Sequence, residues 1–143
     1  MSDGIAGNAV LVDSGFLVAL FRRSDRLRAA ARRFLVDSRA PLVSVAPVIV
    51  ESAFFLGAAE KQNLLEWIRR GALAIHEVPV DAYAKLGWLV GKYADRDPDL
   101  TDMALLWLAQ HSGCHRILTV DAGDFEVYRG RNGKRFELID WMG

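Results

Sequence analysis

The stretch Ala9-Val10-Leu11-Val12-Asp13-Ser14-Gly15 decides how the rest of this chain is read. Four apolar residues stop abruptly at a carboxylate, and a small polar residue and a glycine follow. The pattern predicts a buried strand with a charged tip that turns into a helix near Phe16. In open α/β sheets, ligands bind in the crevice beyond the carboxyl ends of the strands. Asp13 is therefore expected where chemistry would be sited, and the question becomes which other side chains arrive there.

Outward from that strand, apolar runs alternate with helical spacing. A short apolar helix is expected over 16–21. Ser24 is read as the N-cap of a second helix to about Asp37, with Leu27, Ala30, Ala31, Phe34 and Leu35 at helical intervals. Residues 42–45 read as a strand, and Pro47 suits the first turn of a helix to about Ala59. A further helix spans about 60–70, a strand lies near 73–75, and Asp81 opens a helix to about Tyr93. Asp99 is read as the cap of a helix from Leu100 to about His111, closed by Gly113. Arg116-Ile117-Leu118-Thr119-Val120-Asp121 is a second strand ending on a carboxylate. Residues 125–128 and 135–139 flank Asn132-Gly133 and suggest a C-terminal hairpin with a primed turn. Residues 1–7 read as a loose tail. Strands separated by helices predict an α/β fold whose central sheet is largely parallel and covered on both faces.

The totals bound the class. At 143 residues, with 52% hydrophobic content, the chain is expected to form one packed domain over residues 1–143. Eighteen basic and eighteen acidic residues cancel, so any nucleic-acid contact must come from local patches. The single cysteine, Cys114, excludes an internal disulfide and fits a reducing compartment. The N-terminus lacks a basic region ahead of its apolar segment, and the stretch 43–59 is interrupted by Pro47 and Glu51 and is too short to span a bilayer. The expectation is a soluble cytoplasmic protein without a membrane segment.

Four carboxylates stand out by context. Asp13 and Asp121 each end an apolar run, Glu51 interrupts Val48-Ile49-Val50, and Asp102 opens Met103-Ala104-Leu105-Leu106-Trp107. Charge in such surroundings is costly unless it is paired or metal-bound. Each acid also has an ordinary reading: Asp13 as a helix cap, Glu51 as an arginine partner, Asp102 as a first-turn acid on the helix dipole, and Asp121 as a turn residue. Asp99 is assigned to capping and Asp124 to a loop. If the four converge, they need a cation, because two like charges about 4 Å apart repel by about 4 kcal/mol at an effective dielectric of roughly 20. All-oxygen ligands favour Mg²⁺ or Mn²⁺ over zinc.

This joint pattern resembles the PIN domain, and most closely the VapC-type toxin ribonucleases. The residues that carry the resemblance are Val10-Leu11-Val12-Asp13-Ser14 with Ala19-Leu20, the Glu51 helix, Leu100-Thr101-Asp102-Met103-Ala104, and Ile117-Leu118-Thr119-Val120-Asp121-Ala122-Gly123-Asp124-Phe125. Val127-Tyr128-Arg129 and Lys134-Arg135-Phe136 also look like that group, whereas Ala122-Gly123 stands where it commonly has basic residues. The resemblance implies a PIN-like three-layer sandwich in which Asp13, Glu51, Asp102 and Asp121 are catalytic and hold Mg²⁺ or Mn²⁺, with Ser14 and Thr119 in support. It implies an endoribonuclease that hydrolyses phosphodiesters in RNA by metal-activated water and leaves a 5′-phosphate. It further implies a homodimeric toxin of a type II toxin–antitoxin pair, held inactive by a small antitoxin. Alternatives within the same fold are a housekeeping RNA-processing nuclease without antitoxin and a non-catalytic interaction module.

Other features carry less. Arg22, Arg23, Arg26, Arg28, Arg32 and Arg33 crowd the second helix region, and Arg116, Arg129, Arg131, Lys134 and Arg135 form a second basic set; each is either a solvated face or part of an RNA path. His111, Cys114 and His115 lack a fourth zinc ligand. Residues 130–134 have the wrong spacing for a phosphate loop. Trp67, Trp88, Trp107 and Trp141 are read as core or interface.

Overall fold

A computed structural model describes residues 4–143; of the expected N-terminal tail, residues 1–3 lie outside the described residues. Val10–Val12, fully buried, forms strand β1 at the centre of a five-stranded sheet. The remaining strands are β2 (Leu42–Val45), β3 (Ala74–His76), β4 (Arg116–Leu118) and β5 (Glu137–Leu138). Their order is β3-β2-β1-β4-β5, and every pairing is parallel. Leu11 lies opposite Val43 on one side and Ile117 on the other. The chain moves from β1 outward through β2 to β3, then returns to lay β4 on the opposite side of β1. The order thus reverses at β1, and the crevice beyond the carboxyl ends of β1 and β4 is a topological switch point.

Among the described residues seven α-helices cover the sheet. Helices α1 (Ser14–Phe21), α2 (Arg28–Asp37), α3 (Ala46–Ala53) and α4 (Ala58–Arg69) pack around α1. Helix α6 (Leu100–Ser112) packs on α3, α5 (Tyr83–Lys92) and β2, burying Met103 to Ala109. Helix α7 (Ala122–Val127) follows β4. The alternating pattern predicts a largely parallel sheet covered by helices, and the α/β sandwich has that sheet with every strand pairing parallel. Among the described residues no helix is long and apolar enough to cross a membrane.

Three expectations are corrected. Ser24 does not cap α2; the helix begins at Arg28, because Asp25 Oδ1 accepts the Leu27 N–H at 2.9 Å and forms a local turn first. The helix expected through Ala59 ends at Ala53. A new one starts at Ala58, where Glu60 Oε1 accepts the Gly57 N–H at 2.8 Å. The C-terminal hairpin is reduced to one antiparallel bridge between Arg129 and Arg135. Asn132 and Gly133 do adopt the positive φ that a tight turn needs (58° and 74°). The residues before them are α7 rather than a strand, however, and β5 joins β4 in parallel. The helix wins because Asp121 accepts the Asp124 N–H at its start and Phe125 and Tyr128, three apart, bury one face.

Candidate active site

Asp13 is the first residue after β1 and the N-cap of α1. Its backbone N–H donates to Leu118 O at 3.0 Å, which ties the strand tip to β4. Both carboxylate oxygens are held: Oδ1 accepts the Ser14 N–H at 2.8 Å and Oδ2 accepts the Thr119 hydroxyl at 2.9 Å. Thr119 Oγ1 in turn accepts the Asp121 N–H at 2.9 Å, and Trp141 Nε1–H donates to Thr119 O at 3.1 Å. The Ser14 hydroxyl donates to Glu51 Oε2 at 2.5 Å, joining the start of α1 to the middle of α3. Gly15 leaves room for the Val120 side chain: a Cβ there would lie 2.3 Å from Val120 Cγ2.

These elements open onto one cleft of about 1510 Å³ lined by Asp13, Glu51, Asp102 and Asp121, together with Ser14 and Asp99. All four acids singled out in the sequence therefore face the same space, but they are not equivalent. Asp13 and Asp102 are 5% and 8% exposed. Burial, together with the charges of Glu51 and Asp99, pushes Asp13 up to about 6. Burial, together with Asp13, Asp99, Asp124 and Glu51, pushes Asp102 up to about 8. Asp121 is exposed at the cleft's edge and spends Oδ1 on the Asp124 N–H at 3.3 Å. Partial desolvation and the adjacent Asp124 raise its carboxyl. Asp124 is held low by Arg96, whose Nη2 donates to Oδ1 at 2.8 Å.

The sequence assigns Asp99 to capping. It does cap α6, accepting the Asp102 N–H at 2.7 Å, but it also lines the cleft and adds to the field on Asp13 and Asp102. The signal was in the spacing: the N-cap and the third helical residue share one end of a helix. Among the described residues, none of Asp13, Glu51, Asp99 or Asp102 pairs with an arginine or lysine. The arginine-partner reading of Glu51 is thereby replaced by its bond to Ser14.

Among the described residues no three His, Cys, Asp or Glu side chains form a ready-made metal cluster. The carboxylates ring an open cleft rather than closing a cage. Even so, the donor set fits a hard divalent cation. It is all oxygen, two of its members are buried without a cationic partner, and Asp13 is oriented by two hydrogen bonds. The rest of the cleft is mixed. Arg22 and Arg26 line it, and Val50, Phe54, Phe55, Ile75 and Tyr83 give it an exposed apolar wall, with Phe54 81% exposed.

An α/β sandwich with an acidic cleft at the switch point of a five-stranded parallel sheet defines the class. Residues 10–130 match the PIN domain family, and the chain belongs to it. No curated protein matches the sequence. Among solved structures, the fold is similar to that of VapC20 from Mycobacterium tuberculosis, described as a sarcin-ricin loop cleaving toxin. The TM-score is 0.67 at 16% identity, over 76% of this chain and 86% of that one.

Proposed function

We propose that this protein is a metal-dependent endoribonuclease, the toxin of a type II toxin–antitoxin pair. One observation carries the reading: Asp13 and Asp102, buried and without a cationic partner, share a cleft with Glu51, Asp99 and Asp121. With the carboxylates ionised such a set calls for a cation, whereas without one Asp102 holds its proton up to about pH 8; the family and the likeness to a toxin that cleaves the sarcin-ricin loop point to RNA as the substrate class.

In this reading Asp13, Glu51, Asp102 and Asp121 hold Mg²⁺ or Mn²⁺. Bound there, the ion supplies positive charge against the phosphodiester and acidifies the attacking water. The chain's own groups do the rest. Thr119 and the Ser14 amide orient Asp13, the Ser14 hydroxyl orients Glu51, and Asp99 fixes the start of α6 and so the direction of Asp102. Arg22 and Arg26 meet the RNA phosphates at the cleft mouth. The exposed apolar wall of Val50, Phe54, Phe55 and Tyr83 supports a protein partner over the same cleft, a small antitoxin. A homodimer in the cytoplasm completes the proposal.

The test is cleavage of structured RNA, such as tRNA or ribosomal RNA, with Mg²⁺ or Mn²⁺, read by sequencing new 5′ ends. Cleavage that needs the metal and vanishes in Asp13→Ala and Asp102→Asn supports the proposal. Cleavage or growth arrest that survives both substitutions overturns it.

A further inference from the structure

We infer that a second, basic-aromatic hollow centred on Trp88 holds a single-stranded stretch of RNA, and that a continuous furrow joins it to the acidic cleft. The inference rests on the proposed action on RNA but concerns binding outside the acidic cleft.

The hollow, about 450 Å³, lies between α5, the end of α6 and the turn at 129–133. Lys85, Lys92, Arg129 and Arg131 line it, and no Asp or Glu does. In a chain whose charges cancel, this is a local segregation of cations. Two of them are pinned by backbone oxygens. Arg129 Nη1 donates to the carbonyls of Glu126, Val127 and Tyr128 at 2.7–3.1 Å. Arg131 Nε donates to Gln110 O at 2.9 Å, and its Nη2 donates to His111 O. Their charge is thus fixed in place before any ligand arrives, so little ordering entropy is lost on binding.

The aromatic part is equally placed. Trp88 is 55% exposed on α5, with Lys85 Nζ 4.2 Å and Lys92 Nζ 5.2 Å from its ring centre. At the other wall Trp107 and His111 stack, with centroids 4.8 Å apart and planes 14° apart. Cations for phosphates beside a ring for a base are the two components of single-strand recognition. A purely acidic peptide would use the cations but not the ring.

A third depression, of about 250 Å³, lies between the hollow and the acidic cleft. It shares His76 and Glu77 with the acidic cleft, and Trp107 and His111 with the Trp88 hollow. Helix α6 runs beneath it, and from Asp102 to His111 the helix rises about 14 Å. A few nucleotides span that distance. The carboxylates of the acidic cleft repel a polyanion, and beyond Arg22 and Arg26 at that cleft the four cations of the Trp88 hollow supply attraction.

The experiment measures anisotropy of a fluorescein-labelled 12-nucleotide oligouridylate with full-length protein in EDTA, across a salt series. Trp88→Ala is expected to weaken binding about tenfold, and Lys85→Glu/Lys92→Glu to weaken it at least as much while flattening the salt dependence. Arg32→Glu/Arg33→Glu, exposed on α2 outside the furrow, is expected to cost less than about threefold. Unchanged melting temperatures exclude misfolding, and Trp88→Phe should restore most of the affinity. The inference is overturned if wild-type protein does not bind the oligonucleotide or if Trp88→Ala binds like wild type. Equal loss with the α2 variant overturns it too, as does equal, Trp88-independent competition by polyglutamate. A change in oligomeric state without a change in RNA affinity would mark the hollow as a protein interface and overturn it also. Binding through Trp88 without metal-dependent cleavage would sink the nuclease reading alone.

Discussion

The Thr119 hydroxyl donates to Asp13 Oδ2 at 2.9 Å, joining two residues 106 positions apart in the chain. The bond crosses from the tip of β4 to the tip of β1 and sets the direction of the most buried carboxylate in the cleft.

Removing it should be costly. Thr119→Val keeps the shape but leaves the buried Asp13 oxygen short of a donor, and the Asp121 amide loses its acceptor. We expect a loss of about 1–3 kcal/mol in denaturant unfolding. The Asp13 carboxyl should also rise further, because this bond currently lowers it. NMR titration of the carboxyl carbon would report the shift.

The pH dependence of stability follows from the two raised carboxyls. An acid whose folded pKa exceeds its unfolded value of 3.8 holds its proton more tightly when folded. Its favourable contribution is complete below that value and is lost as pH rises through about 6 for Asp13 and about 8 for Asp102. In EDTA, the melting temperature should therefore fall as pH rises from about 5 to about 8. Asp102→Asn should flatten the upper part of that decline.

Divalent metal should reverse the trend. At neutral pH, Mn²⁺ is expected to raise the melting temperature of the wild-type protein by mass action. Asp102→Asn should exceed wild-type stability in EDTA once pH passes about 8, where the wild-type carboxylate is charged, whereas Asp13→Asn should lose stability because its amide nitrogen must face the donor of either Ser14 or Thr119. Both should lose the metal-induced gain, and RNA cleavage should drop at least about a hundredfold. Calorimetry with Mn²⁺ and scanning fluorimetry would check both arms.

Gly15 and Val120 make a direct steric test. A Cβ at position 15 would stand 2.3 Å from Val120 Cγ2, so Gly15→Ala must displace Val120 or α1. We expect about 1–3 kcal/mol of destabilisation. Val120→Ala in the same chain should recover most of it, which a double-mutant cycle would show.

Much of this was legible beforehand. The parallel sheet was readable because its strands are short, apolar and separated by helical spacing, and the convergence of acids because each interrupts an apolar run. The C-terminal hairpin misled because Asn132-Gly133 is a genuine turn signal, yet Asp121 and the Phe125–Tyr128 spacing had already committed the preceding residues to a helix. For Asp99 the capping is visible in the sequence, but its reach into the cleft depends on how α6 packs against α3 and β2. Trp88, read with the other tryptophans as core or interface, is instead 55% exposed and outside the core, because an aromatic at helical spacing looks the same in a core and on a surface.

One consequence concerns synthesis. Trp141 Nε1–H anchors the Thr119 carbonyl, and Glu137–Leu138 supplies the outermost strand beside β4. A growing polypeptide that has emerged only as far as Asp121 carries Asp13, Glu51, Asp102 and Asp121 but lacks the indole donor to Thr119 and the strand beside β4. Until residues 137–141 have left the ribosome, β4 lacks its outer neighbour and the Thr119 carbonyl its indole donor, so the alignment of Asp13 through Thr119 is expected to follow synthesis of that segment.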